Sequence, residues 1–258
     1  MSRRTALRIG PSWWLMSLPL LTFLILPLAA ILLQSQPDEI LSNLATPTAS
    51  RAIALSLKTS LITVALTVIL GTPLALVLAR REFPLRKTIE TLIDLPMVLP
   101  PAVAGVALLI AFGRNGFIGE YFGLQIPFTQ AAVVMAQVFV AAPLFIRSAI
   151  VGISRVQDEL IESALLDGAT TWQTLRFVAL PIARPAFIGG AVLTWARALG
   201  EFGATIIFAG NFPGRTQTMP LAIYLGFEMN LEVAIALSVI LMATSFLVLV
   251  LVRYIMNA

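Results

Sequence analysis

The chain has 258 residues, of which 59% are hydrophobic and only 12% charged; soluble domains carry roughly 25% charged residues. It has neither His nor Cys, which removes the usual ligands and bases of zinc, haem, iron–sulfur, thiol and His-triad enzymes and leaves no disulfide. The formal charge of +4 is too small to suggest nucleic acid, and neither Lys58 nor Lys87 follows the glycines of a phosphate-binding loop.

The charges are confined to gaps between long apolar runs, a pattern that requires lipid as solvent. Six runs are predicted to span, in an all-α, polytopic arrangement. They are Trp13–Leu33, Thr59–Ala79, Met97–Gly113, Thr129–Ile146, Pro185 to about Gly210, and Val233–Val252. The first run is longer than a signal-peptide core and lacks a convincing cleavage site, so it reads as a retained span. The polar, Pro-containing stretch 34–50 reads as an external loop. No internal domain boundary is visible, so residues 1–258 read as one transmembrane domain.

Basic residues orient the bundle. Arg3, Arg4, Arg8, Arg80, Arg81, Arg86, Lys87, Arg147, Arg155, Arg176, Arg184 and Arg253 fall on one side; the loops of the other side hold fewer, Arg51, Arg114 and Arg215 among them. Both termini are therefore expected in the cytoplasm.

The longest cytoplasmic connection, about 147–184, is patterned. Ser154 with Gln157 suggests a capping box opening a helix. Leu160, Ile161, Ala164 and Leu165 recur at helical spacing, and Gly168 suits a left-handed terminus. Thr170 with Gln173 suggests a second capping box, opening a short helix that ends before Pro181. Periodicity alone allows two helices lying on the membrane surface.

In the fifth span, Thr194, Arg197, Glu201 and Thr205 are spaced to share one helix face, with Arg197 and Glu201 able to pair at i, i+4. Ionisable residues within spans face the bundle interior. Ser56, Ser60, Thr63 and Thr67 form a hydroxyl stripe on the second span. Its members either donate to a passing oxyanion or bond back to their own helix. Pro96, Pro100 and Pro101 break the entry to the third span, as a packing kink or a pore-lining segment.

The segment Glu162-Ser163-Ala164, then Gly168, Val178, Leu180 and Pro181, resembles the Glu-Ala-Ala signature of ABC importer permeases in every gap. Ser163 and Val178 replace Ala and Ile. The resemblance implies a type I importer fold, with this loop as the helix that couples to an ATPase. Asp94-Leu95-Pro96-Met97-Val98-Leu99-Pro100-Pro101 is similar to the third-span entry of sulfate and molybdate permeases. Arg197-Ala198-Leu199-Gly200-Glu201-Phe202-Gly203-Ala204-Thr205 and Pro213-Gly214-Arg215-Thr216-Gln217-Thr218-Met219-Pro220-Leu221 are similar to the molybdate branch. The resemblance implies a non-enzymatic, cofactor-free molybdate permease of the bacterial plasma membrane. Its implied partners are a second copy of the chain, two ATP-binding subunits and an external molybdate-binding protein. The rivals are a tungstate, sulfate or thiosulfate permease of the same class, or a channel or secondary transporter without ATPase. Candidate coupling residues are Glu162, Ser163, Ala164, Gly168, Leu180 and Pro181. Candidate path or gate residues are Arg197, Glu201, Thr194, Thr205, Ser60 and Thr63.

Overall fold

The computed structural model describes residues 11–34, 37–123 and 125–257, and every regular element in them is helical. Arg3, Arg4 and Arg8 lie outside the described residues. Six stretches are long and apolar enough to cross a membrane: Trp13–Gln34, Pro47–Arg80, Pro101–Phe122, Gln130–Ser154, Thr171–Leu199 and Leu231–Leu251.

The first helix, α1 (Pro11–Gln34), stands at the edge against the last helix and leaves its long apolar side chains exposed. A lipid-facing helix needs no polar stripe, because every backbone group except those at its ends is satisfied within it. The stretch expected to be an external loop is instead largely helical. α2 (Pro37–Leu44) is amphipathic, and α3 (Pro47–Arg80) begins well before Thr59. The N-cap explains the early start: Thr46 Oγ1 accepts from the Ala49 N–H at 3.4 Å, and Pro47 follows at the first helical position. With 34 residues α3 is about 51 Å long at 1.5 Å per residue, more than the hydrocarbon core of about 30 Å.

After α3 come α4 (Arg86–Val98), α5 (Pro101–Phe112) and α6 (Phe117–Phe122), then α7 (Gln130–Ser154). Two short helices follow, α8 (Asp158–Leu166) and α9 (Thr171–Thr174). A single π turn (Leu175–Ala179) joins α9 to α10 (Leu180–Leu199). The chain closes with α11 (Gly203–Phe208), α12 (Met219–Met229) and α13 (Leu231–Asn257).

The packing centre is α7, sandwiched between α3 and α10. Small residues let these backbones close together, as lipid-immersed bundles require. A methyl group on Gly190 of α10 would lie 2.7 Å from Ser148 Cβ of α7. Phe145, fully buried, fills the space beside them with Ala75, Leu78, Ile146 and Ala183. A second cluster joins α5, α7 and α11 through Leu108, Val133, Val140 and Phe208, and a third joins α3, α12 and α13 through Ala52, Met219 and Leu237.

α4 is attached differently. It has no fully buried residue; Ile89 and Ile93 pack half-buried against the apolar cluster around α7, and charge pairs add to that hold. Arg147 of α7 donates from Nε to Asp94 Oδ1 at 2.7 Å, from Nη1 to Glu90 Oε2 at 3.0 Å, and from Nη2 to the second Asp94 oxygen. Arg86 donates from Nε to the other Glu90 oxygen at 2.9 Å. The Arg147 hydrogen bonds hold the carboxyls of Glu90 and Asp94 below their ordinary values, with Arg86 adding to the effect on Glu90.

Because both folded-state values are depressed, the clasp contributes stability above the unfolded carboxylate range of about 4, and this is lost as pH falls through the folded values. The groups are partly exposed, so Arg147→Gln is expected to cost only about 1–2 kcal/mol at pH 7. Thermal unfolding in nanodiscs checks this: the gap in Tm between wild type and variant should shrink as pH is lowered from 7 to 3.

Candidate functional site

Two assemblies of polar residues stand out in the apolar bundle: the loop between α7 and α10, and the paired helix breaks at the starts of α5 and α11.

The loop begins where α7 ends. Ser154 is the last residue of α7 rather than an N-cap, and Gln157 caps α8 without a side-chain hydrogen bond, so the expected capping box there does not form. Asp158 and Glu159 occupy the first turn of α8, where the helix dipole favours negative charge. Arg80, the last residue of α3, supplies the anchor. Its guanidinium donates to Asp158 Oδ1 at 2.6 Å, Ile153 O at 2.9 Å and Val156 O at 3.0 Å. One side chain therefore satisfies loose carbonyls at the end of α7 and ties α8 to α3. In the sequence Arg80 is only one basic residue among several; nothing local marks it as this anchor.

The end of α8 explains the spacing of the signature. Ala169 N–H donates to Ala164 O at 3.0 Å and Gly168 N–H to Leu165 O at 3.1 Å, the paired bonds of a Schellman cap. Gly168 has φ +88°, as that cap requires at its left-handed residue. Ala164 and Gly168 are thus four residues apart because the carbonyl oxygen of one accepts the cap bond that the other makes possible. The second capping box forms as expected: Gln173 N–H donates to Thr170 Oγ1 at 3.3 Å, and Thr170 N–H to Gln173 Oε1 at 2.7 Å.

The helix opened by Thr170 does not end before Pro181. It runs through the π turn into α10, so the fifth span starts at Thr171 rather than near Pro185. Pro181 lacks an N–H, and its ring crowds the carbonyl four residues back; the wider turn just before it relieves that conflict. α8 has no buried residue. Glu162, Ser163, Leu165, Leu166, Trp172 and Phe177 are exposed, with Leu166 at 89%. The loop thus offers acidic and apolar side chains on a rigid mount.

The second assembly corrects the expected single face. α10 stops at Leu199, the chain turns through Gly200–Phe202, and α11 restarts at Gly203, so Thr194 and Arg197 lie on one helix and Thr205 on another. The break lies against the break between α4 and α5. A methyl group added to Gly203 would be 2.4 Å from Pro101 Cβ, and one on Gly105 would be 2.7 Å from Ile207 Cβ. Glu201, 1% exposed, holds the turn together. Its Oε2 accepts from Arg197 Nη1 at 2.7 Å and its Oε1 from the Ala204 N–H at 2.9 Å. The first bond pairs the buried charge, and the second caps α11. Arg197 keeps about a third of its side chain exposed.

The hydroxyls are mostly used between helices. Thr194 Oγ1 donates to Ala141 O of α7 at 3.3 Å, and Thr63 Oγ1 to Gln137 Oε1 of α7 at 3.0 Å. Ser60 Oγ accepts from Trp195 Nε1 of α10 at 3.0 Å, and Ser56 Oγ from the Met219 N–H of α12 at 2.7 Å. Only Ser60 also shows the expected bond back to its own helix, to Leu57 O at 3.2 Å. Thr67 and Thr205 are buried with hydroxyls that have no hydrogen-bond partner. Phe202, in the segment similar to the molybdate branch, packs against Tyr224 with ring centroids 5.3 Å apart.

The family model described as "Binding-protein-dependent transport system inner membrane component" matches residues 71–258. The molybdenum transport system permease protein ModB of Mycobacterium tuberculosis is 41% identical over 247 residues, covering 92% of each chain. The probable transport system permease protein NifC of Clostridium pasteurianum is 38% identical over 234 residues, covering 89% of this chain and 82% of that one. Among solved structures, a bacterial ABC transporter involved in import of the acidic polysaccharide alginate superposes with TM-score 0.66 at 18% identity, over 95% of this chain and 94% of that one. The MetNI methionine ABC transporter superposes with TM-score 0.60 at 20% identity, over 81% of this chain and 96% of that one. The fold is thus that of ABC importer permeases, and the chain belongs to the family of binding-protein-dependent transport system inner membrane components.

Proposed function

We propose that this chain is the membrane-spanning permease of an ATP-driven molybdate importer. It works as a pair of copies with two cytoplasmic ATP-binding subunits and an external molybdate-binding protein, and both its termini are cytoplasmic. The observation that carries the reading is the exposed loop: a Schellman-capped helix, pinned by Arg80 to the end of a spanning helix and followed by α9, which runs without interruption through α10 to the helix break at Glu201. Such a mount transmits a push on α8 as a rigid-body shift of α3 and α10. The permease hydrolyses nothing; its partners supply the energy. The cargo assignment is supported by relatives named as molybdenum permeases at 39–41% identity. A channel has no need for this loop.

In this reading Glu162, Ser163, Ala164, Gly168, Leu180 and Pro181 form the coupling element. Glu162 and Ser163 face the ATPase, Ala164 and Gly168 shape the cap, and Leu180 and Pro181 start the π-relieved run into α10. Arg197 is the path residue, since about a third of its side chain remains exposed despite its bond to Glu201. Glu201 neutralises and positions it. Thr194, Ser60 and Thr63 act as struts between helices, and Thr205 is a buried hydroxyl free to donate beside the break.

Three outcomes follow from these roles. Gly168 has open space around it, so its replacement is limited by backbone alone. Gly168→Asn should couple nearly normally, whereas Gly168→Val should cost about 1–2 kcal/mol of loop stability and lower ATPase recovery in pull-down and molybdate uptake. Normal uptake by the Val variant would count against the coupling role.

Arg197→Gln leaves Glu201 buried and unpaired, and is expected to destabilise the protein by about 3–5 kcal/mol. Arg197→Gln with Glu201→Gln removes both charges yet retains an oxygen to cap α11, so it should fold and bind ATPases. If Arg197 meets the anion, uptake by this double variant should still be low; near-wild-type uptake removes Arg197 from the path.

Molybdate uptake by the complete system should be competed by tungstate at similar concentration and by sulfate only at large excess. Equal competition by sulfate would reassign the cargo.

A further inference from the structure

At the end of the bundle opposite Arg80, a cavity of about 290 Å³ opens between the start of α3, the end of α12 and the start of α13. Its polar lining is Thr46, Thr48, Gln217 and Asn230, set among apolar residues such as Leu225 and Val233. Gln217 is 2% exposed, and its side-chain Nε2 is buried with no hydrogen-bond partner. The turn that carries it does not need that amide. Arg215, Thr216 and Gln217 N–H groups all donate to Phe212 O, and Thr216 Oγ1 accepts from the Phe212 N–H.

Of the other polar groups, Asn230 has its acceptor committed and its amide donor left over, whereas the Thr46 hydroxyl is used in both directions. Asn230 Oδ1 accepts from the Val233 N–H at 3.2 Å, capping α13 and leaving its amide nitrogen for the cavity. Thr46 Oγ1 is taken up between Asn43 O and the Ala49 N–H. Thr48 presents an exposed hydroxyl. A cavity with two amide NH2 groups and a hydroxyl to offer selects a ligand rich in acceptors. A buried donor without a partner is costly, and an entering oxygen relieves that cost. With a water's share of liquid volume near 30 Å³, the cavity has room for a tetrahedral oxyanion and part of its hydration shell.

The lining itself carries no charged residue. Arg51 follows Thr48 by one helical turn and Arg215 precedes Gln217 by two residues, while Glu228 and Glu232 flank Asn230. Holding an anion by neutral donors without net positive charge gives a site that releases readily, as a translocation route requires.

We propose that this cavity is a weak oxyanion-receiving site on the external face, with Gln217 Nε2 and Asn230 Nδ2 as its donors. It rests on the importer reading, since it places the cargo where the external protein would release it.

The test uses the permease with its ATP-binding subunits in nanodiscs, without the external binding protein, and equilibrium dialysis of radiolabelled molybdate. Saturable retention by the wild type is expected. Gln217→Leu should weaken it about tenfold, the worth of one hydrogen bond to a charged ligand. Asn230→Asp keeps the oxygen that caps α13 but replaces a donor with negative charge, so it should abolish retention while preserving the fold. Retention that does not saturate, or that is equal in the wild type and both variants, overturns the site and leaves the cavity to water. Wild-type uptake with the binding protein restored is measured in parallel. Intact uptake with no retention removes this site alone, whereas failed uptake strikes the importer reading.

Discussion

A carboxylate with 1% exposure inside an apolar bundle must be paired, or the fold around it fails, and the Glu201 arrangement meets that constraint twice over. One oxygen takes Arg197 and the other takes a backbone N–H at the start of α11. The pairing makes a helix break tolerable at depth, because the broken backbone gains an acceptor that lipid cannot supply. It also decides where the break falls. Gly203 then fits against Pro101, and the α10–α11 and α4–α5 interruptions meet. Discontinuous helices meeting in a membrane are the usual setting of ion and substrate sites in transporters.

Around that point the bundle is held by close approach and by hydroxyls. Apolar burial gives little preference for helix over lipid, so small residues and interhelical hydrogen bonds carry the specificity. Gly190 beside Ser148, Thr63 with Gln137, Ser60 with Trp195 and Ser56 with the start of α12 all act between helices. The hydroxyl stripe of α3 is therefore a packing face that reaches α7, α10 and α12 in turn.

The α8–α9 loop is mounted on this frame at both ends. Arg80 binds it to α3, and the π turn carries it without interruption into α10. Its Leu166 and Trp172 stay exposed, as the apolar side chains of an interaction surface do. Displacement of α8 reaches the Arg197–Glu201 break along α10 alone, a distance of about 30 Å at 1.5 Å per residue from its start.

Much of this was legible in the residues. The six apolar runs, the basic bias of alternate loops, the left-handed Gly168, the Thr170 capping box and the Arg197–Glu201 pair all follow from composition and local spacing, because each is a short-range property. The misread features depend on partners distant in sequence. The stretch 34–50 is polar by composition but largely helical, because Thr46 caps the start of α3 and α13 packs on α2. Ser154 failed as a cap because α7 simply continues through it. Pro181 reads as a stop, yet a π turn absorbs it. The 3-and-4 spacing from Thr194 to Thr205 reads as one face, but Glu201 finds a better partner in the Ala204 N–H than in a continuous helix. The roles of Arg80 and Arg147 were invisible for the same reason: a side chain's spacing says what it can reach along its own helix, and only tertiary packing determines which other helix it meets.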